Sequence, residues 1–263
     1  MIKAHKKISV LGSGWLGFPL SEKLINCGNS VKASTTSQNR FEELLSIKAE
    51  PFLIDINCLS QNINEFLESE ILIINIPSKN LEGFKKLLIE LKLSQIEKVI
   101  FISSTSVYEN SNKTIFESDN LESSTNPLVL IENLFKNCNQ FKTTILRFGG
   151  LIGYNRHPGK FFGSSGFIPN PGSFVNLIHC DDCIEIINQI IRQEVWAETF
   201  NCCADTHPTR REFYTKAVES CGLASPRFID SDTNTFKIIS NLKVKSVLNY
   251  KFLHPDLLKI DFI

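Results

Sequence analysis

The chain has 263 residues, 42% of them hydrophobic, and its 28 Lys+Arg balance 28 Asp+Glu, so the formal charge at neutral pH is zero. That balance argues against an electrostatic partner such as nucleic acid or an acidic membrane, and the length suits one large domain or a domain with a satellite lobe. No apolar run reaches the length of a membrane span, and Gly12, Gly14, Gly17 and Pro19 interrupt anything signal-like after the basic start, so a cytoplasmic protein is expected.

An apolar strand over 8–11 runs straight into Gly12-Ser-Gly14-Trp15-Leu16-Gly17. A helix with Leu16, Leu20 and Leu24 on one face follows and stops at Gly28. A G-x-G-x-x-G between strand and helix is the dinucleotide-binding fingerprint. Gly12 permits the tight turn, Gly14 lets backbone approach a pyrophosphate, and Gly17 lets the helix pack closely on the sheet. The helix N-terminus then offers N–H groups and partial positive charge to the phosphates.

A second strand over 31–35, a helix near 40–47 and a third strand over 52–56 come next. NAD sites usually carry an acid at the end of the second strand. Here Ser34-Thr35-Thr36-Ser37-Gln38-Asn39-Arg40 supplies hydroxyls and an arginine, with no acid before Glu42. Thr35, Thr36, Ser37 and Arg40 suit a 2′-phosphate, so NADP is preferred over NAD. The alternative is a solvated turn with a surface arginine.

Residues 71–76 are apolar apart from Asn75, as in a strand buried on both faces, and Pro77 ends them. An amphipathic helix over 80–91, a buried strand over 98–103, a helix over 128–138 and a strand over 144–148 complete the run. This alternation predicts an α/β fold with a Rossmann-type, doubly wound parallel sheet. Glycines and prolines then crowd 149–172, a long irregular loop of the functional or mobile kind. A strand over 174–179, a helix over 182–192, a strand over 199–202 and a helix over 209–221 with a Thr209/Glu212 capping box follow. The sheet therefore continues past the loop, with a small C-terminal lobe interleaved, and the expected division is 1–150 and 151–263.

The eight cysteines read as reduced, mostly buried thiols. Cys180-Asp-Asp-Cys183 beside His179 has metal or redox spacing, but no second Cys/His pair stands at zinc spacing. The segment reads better as a strand end and an Asp-capped helix, so no metal is expected.

Seven motifs in order carry a family resemblance over nearly the whole chain: Gly12-Ser-Gly-Trp-Leu-Gly17, Ser103-Ser-Thr-Ser-Val-Tyr108, Leu146-Arg-Phe-Gly-Gly-Leu-Ile-Gly153, Arg156-His-Pro-Gly-Lys-Phe-Phe162, Val175-Asn-Leu-Ile-His-Cys-Asp-Asp182, Phe200-Asn201 with His207-Pro208, and Lys237-Ile-Ile-Ser240. The chain resembles an atypical extended short-chain dehydrogenase/reductase of the NAD(P)-dependent epimerase/dehydratase superfamily, in its YeeZ-like branch. The resemblance implies a Rossmann-type domain, a small C-terminal substrate lobe and a ligand cleft. It also implies that Asp55 and Ile56 flank the adenine, and that Asn75, Ile76 and Pro77 pass beneath the phosphates and ribose. Ser103 is counted with the cofactor residues, and Ser104 matches the serine that hydrogen-bonds the reacting oxygen, with Thr105 beside it. The plainer reading is that Ser103 and Ser104 end a strand and cap a turn.

The departure is catalytic. Oxidoreductases of this family use Tyr-x-x-x-Lys, and residues four apart share one helix face. Four positions after Tyr108, Tyr154, Tyr214 and Tyr250 stand Asn112, Pro158, Val218 and His254, so the pair is absent; Ser124 and Leu128 align at its two places. Tyr108 without its lysine reads as a packing residue at the substrate side. Arg147, Arg156, His157, Lys160, Asn176 and His179 suit an anionic substrate such as a nucleotide sugar. His157 and His179 are the replacement acid/bases on offer, and His157 joins Ser104 as a catalytic candidate. Three functions stay open: an NAD(P)-dependent oxidoreductase or epimerase with a substituted acid/base, a non-catalytic NADP(H)-binding sensor or regulator, and a dehydratase or ligase-like enzyme using the pocket for another nucleotide. A homodimer is compatible with each.

Overall fold

A computed structural model describes residues 5–59, 62–162, 167–229 and 235–261. The elements run β1 (Lys7–Leu11), α1 (Gly17–Asn26), β2 (Ser30–Thr35), α2 (Phe41–Ser46), β3 (Glu50–Leu53), α3 (Ile63–Phe66), β4 (Ile71–Ile74), α4 (Leu81–Leu93), β5 (Lys98–Ser104), β6 (Thr114–Ile115), α5 (Pro127–Lys136) and β7 (Lys142–Phe148). After these come β8 (Gly150–Ile152), β9 (Phe167–Pro169), β10 (Leu177–His179), α6 (Cys180–Gln193), β11 (Thr199–Cys202), α7 (Arg210–Glu219), β12 (Arg227–Ile229), β13 (Ile238–Ile239) and α8 (Leu242–Leu248).

Seven strands form one parallel sheet in the order β11-β7-β5-β4-β1-β2-β3. All four residues of β4 are buried, which is why its sequence is continuously apolar rather than alternating. The strand order reverses between β1 and β4. Leu11 pairs with Ile74 there, so the residues just past the two strands, Gly12 and Asn75, emerge side by side at the switch point.

By contact density the chain divides into two compact units. The first comprises Met1–Ser103, Ser124–Leu146 and Ile187–Thr199; the second comprises Ser104–Ser123, Arg147–Ile186 and Phe200–Ile263. Each unit is assembled from separated segments. The first buries a phenylalanine cluster in which Phe84 and Phe101 meet edge-on at 5.9 Å and Phe101 stacks on Phe135 at 5.6 Å. Such pairs add to the area-driven stabilisation. Asn80 caps α4 and Asn126, followed by Pro127, caps α5, which fixes where both helices begin. The second unit packs Ile152, Ile168, Leu177, Phe213 and Leu257 into one cluster and carries three short parallel pairs, β8/β10, β9/β12 and β6/β13.

The expected elements recur with local differences. The third strand stops at Leu53 because Asp55 turns the chain, its Oδ1 accepting the Asn57 N–H at 2.8 Å. The segment read as one irregular loop holds β8, a 3₁₀ turn at Pro158–Lys160 and β9, while its Gly163 and Gly166 lie outside the described residues. The strand expected over 174–179 shortens to β10 and pairs with β8 in a separate sheet; β11 is what continues the large one. The Thr209/Glu212 capping box is present at the start of α7.

Candidate active site

The glycine turn is held by backbone contacts and by the Asn75, Ser34 and Arg40 side chains. Gly12 has φ +99°, a left-handed conformation that a side chain resists. A Cβ on it would also stand 2.5 Å from the Asn75 carbonyl oxygen. A Cβ on Gly17 would overlap the Gly12 carbonyl and lie 2.9 Å from Asn75 Nδ2. Gly14 differs: a Cβ there would meet nothing within 4 Å. The Asn75 side chain donates to Gly12 O at 3.0 Å and its N–H to Leu11 O at 2.8 Å. From the other side Ser34 clamps the turn, its hydroxyl accepting the Gly12 N–H at 2.9 Å and its carbonyl the Ser13 N–H at 2.8 Å. Leu16 is buried and Trp15 half-buried at the entry to α1.

Beyond β2, Arg40 reaches back to this turn. Its Nη1 donates to Ser13 O at 2.6 Å and its Nε to Glu43 at 2.8 Å, and that hydrogen bond holds the Glu43 carboxyl below its usual range. Thr36 and Ser37 are exposed, while Thr35 Oγ1 is buried and accepts the Ser37 N–H at 3.2 Å. Asp55 is exposed and braces Asn57, whose side chain in turn accepts from Asn80 at 2.7 Å. Ile56 is buried, its carbonyl packed against Gly83 of α4; Ile76 is half-buried and Pro77 exposed. Ser103, at the end of β5, donates to the buried carboxylate of Glu132 on α5 at 2.5 Å.

In the second unit, Ser104 caps the 3₁₀ turn Thr105–Val107, its hydroxyl accepting the Ser106 N–H at 3.1 Å. Thr105 is buried in that turn. Tyr108 is 2% exposed. Its hydroxyl donates to Asn201 Oδ1 at 2.9 Å and accepts from Arg147 Nη1 at 2.6 Å. Arg147 also pairs with Glu122, and Asn201 donates its N–H to Glu117 at 2.7 Å. Burial pushes the Tyr108 phenol up to about 12, against the opposing pull of the Arg147 guanidinium, and burial also raises the Glu117 carboxyl. A phenol so placed is a poor proton shuttle at neutral pH.

The remaining expected residues are spread over the same unit. Asn176 spans two backbone positions, donating to Lys237 O at 2.9 Å and accepting the Ile239 N–H at 2.8 Å. His157 Nδ1 accepts the Gly159 N–H at 3.0 Å, and Cys221 Sγ lies 3.3 Å from Nδ1 and 3.5 Å from Nε2. Near-equal distances put the sulfur over the ring face rather than in line with either lone pair, so the two are packed, not arranged as nucleophile and base. Arg156 and Lys160 are exposed, with Arg156 Nε donating to Leu151 O at 2.9 Å. His179 is buried beside Asp181 and His254, and burial, followed by the His254 charge, lowers its pKa.

Over 267 aligned positions the chain is 30% identical to protein YeeZ of Escherichia coli strain K12, covering 95% of this chain and 97% of that one. The chain belongs to the YeeZ family. No protein-family model matches it. A conserved protein of unknown function from Silicibacter pomeroyi superposes with TM-score 0.78 at 20% identity, covering 96% of this chain and 95% of that one. UDP-glucuronic acid 4-epimerase from Bacillus cereus, in complex with UDP-glucuronic acid and NAD, superposes with TM-score 0.77 at 17% identity over 96% and 95%. A short-chain dehydrogenase/reductase superfamily protein from Agrobacterium tumefaciens with bound NAD does so with TM-score 0.72 at 16% identity over 94% and 92%. The fold of this YeeZ-family protein is that of the extended short-chain dehydrogenase/reductases.

Within the YeeZ-family chain the first unit gathers Gly12, Gly14, Gly17, Asn75 and Arg40 around one turn. Arg147 and Tyr108 come together as mutual partners, whereas Asn176 is engaged by backbone and His157 by its own turn. Ser34, Glu132, Glu117, Glu122, Asn201 and His254 went unassigned in the sequence. Ser34 was visible as a hydroxyl near the end of β2; His254, 75 residues beyond His179, carried no local signal. The Cys180/Cys183 spacing holds buried thiols, Cys180 pushed up to about 12 by burial and Cys183 raised by the same cause.

Proposed function

We propose that this protein binds a nicotinamide dinucleotide at the glycine turn and acts as an oxidoreductase or epimerase on a nucleotide sugar or related carbonyl compound, without the Tyr-x-x-x-Lys pair. The observation that carries the reading is Gly14. Packing accounts for Gly12 and Gly17, but nothing in the protein fills the space a Gly14 side chain would take. A bare backbone at the start of a helix, at the switch point of a parallel sheet, suits a pyrophosphate. The NAD and UDP-glucuronic acid in the Bacillus cereus epimerase support the ligand classes. Preference for NADP is favoured by Thr36, Ser37 and Arg40. The bonds to Ser13 and Glu43 take two of the five guanidinium donors, and the rest suit a 2′-phosphate.

One observation favours a second reading, a non-catalytic NADP(H)-binding sensor. Tyr108 is locked and strongly basic as a phenolate, and the Ser104 hydroxyl oxygen accepts a capping bond. A panel of UDP-sugars incubated with NADPH or NADP, read by nicotinamide absorbance and by product chromatography, separates the two. Turnover of any member supports the enzyme. Saturable dinucleotide binding with no turnover across the panel supports the sensor.

A further inference from the structure

We propose that His179, Asp181 and His254, all in the second unit, bind one divalent first-row transition metal ion. Their donor atoms lie within 4.8 Å of one another. Asp181 Oδ2 is 3.2 Å from His179 Nδ1 and 2.9 Å from His254 Nε2. Ligands about 2.1 Å from one metal sit about 3.0 Å apart at right angles and about 3.4 Å apart at tetrahedral angles. Both separations that Asp181 makes therefore match edges of a single coordination sphere.

The surrounding groups orient the ligands. The His179 ring is wedged against Gly153, whose φ of +112° and missing side chain make room for it; the nearest ring atom is Nε2, so Nδ1 is left facing Asp181. The Asp181 N–H donates to Nδ1 at 3.2 Å, so that nitrogen is unprotonated, and an ion bound there takes the lone pair over from this hydrogen bond. The Tyr154 hydroxyl donates to Asp181 Oδ1 at 2.7 Å and directs Oδ2 toward the histidines. The two imidazole rings lie 3.8 Å apart between centroids, tilted by 41°, and turn slightly apart for both to ligate one ion. Outer hydrogen bonds of this kind fix ligand orientation in metal sites. His179 is buried, whereas Asp181 and His254 are partly exposed, which gives an ion a path in and leaves outer positions to water. Two imidazoles and one carboxylate suit zinc, iron, nickel or copper better than calcium or a thiolate-seeking ion. The competing account is a hydrogen-bonded trio that never holds an ion. The proposal is independent of the nicotinamide reading.

The test titrates zinc chloride into the metal-stripped full-length protein by calorimetry, with circular dichroism as the check on folding. The expected result is one saturable equivalent, abolished in His254→Ala and weakened about 10-fold in Tyr154→Phe, which keeps all three ligands but loses an orienting bond. Cobalt substituted at the same site should give a ligand-field spectrum free of sulfur charge transfer. No saturable binding, unchanged affinity in a folded His254→Ala, or a thiolate-type cobalt spectrum overturns the proposal.

Discussion

The glycine turn after β1 and the tyrosine–arginine cluster of the second unit both place polar groups at strand ends, yet they differ in what is left for a ligand. In the turn, Gly12 and Gly17 are used by Asn75 and by each other, while a Cβ on Gly14 would meet nothing within 4 Å. In the cluster, Tyr108, Arg147, Glu122, Asn201 and Glu117 answer one another's hydrogen bonds. A site shows itself by an omission that packing does not explain. A cluster knit largely by its own members, with Asn201 Nδ2 left as a buried donor without a partner among the described residues, supports the fold first.

The strongest way to break this comparison is Arg147→Met. If the cluster is structural, leaving the Glu122 carboxylate unpaired costs about 3–5 kcal/mol, read as a drop in urea midpoint. A near-wild-type midpoint would instead release Arg147 for a ligand. A matched glycine pair sharpens the other half. Gly12→Ala should lose roughly 2–3 kcal/mol from strain and overlap, whereas Gly14→Ala should stay within about 0.5 kcal/mol of wild type in stability. The same Gly14→Ala should weaken dinucleotide binding about 10-fold, a loss of about 1.4 kcal/mol. Equal stability losses at the two glycines would remove the distinction on which the binding site rests.

Tyr108→Phe has a smaller effect. Loss of its hydroxyl should cost about 1–2 kcal/mol and leave the pH profile of any turnover unchanged. A general acid removed at that position would instead lower kcat by about 10²–10⁴. The smallest effect concerns pH. Burial lowers the pKa of His207 below its ordinary 6.5. The unfolded chain therefore takes up a proton that the folded chain refuses, and stability falls as pH drops from about 6.5 toward the folded-state pKa. His207→Gln should shallow the slope of urea midpoint against pH in that window; an unaltered slope would show that His207 does not contribute to it.

Much of the first unit was legible in the sequence because its signals are local. The run of apolar residues in β4, the glycine spacing and the Asn126-Pro127 start of α5 each lie within a few residues of what they specify. The second unit was harder. Asn176 looks like a substrate donor in the sequence, but backbone atoms at 237 and 239, some sixty residues on, occupy both ends of its amide. His157 looks like an acid in the sequence, whereas the fold sets its ring beside Cys221 Sγ, 3.3 Å from Nδ1 and 3.5 Å from Nε2, sixty-four residues on. The Cys-Asp-Asp-Cys spacing drew attention to sulfur, while the fold buried both thiols and turned His179 toward Asp181, with His254 on its far side in sequence. Long-range partners of polar side chains have no periodicity to announce them.

The most direct test of the central claim is calorimetric titration of the purified protein with NADPH and NADH in parallel. The account predicts saturable, micromolar binding of NADPH and much weaker binding of NADH. If neither dinucleotide binds, the open space at Gly14 does not serve a nicotinamide cofactor, and the oxidoreductase reading is contradicted.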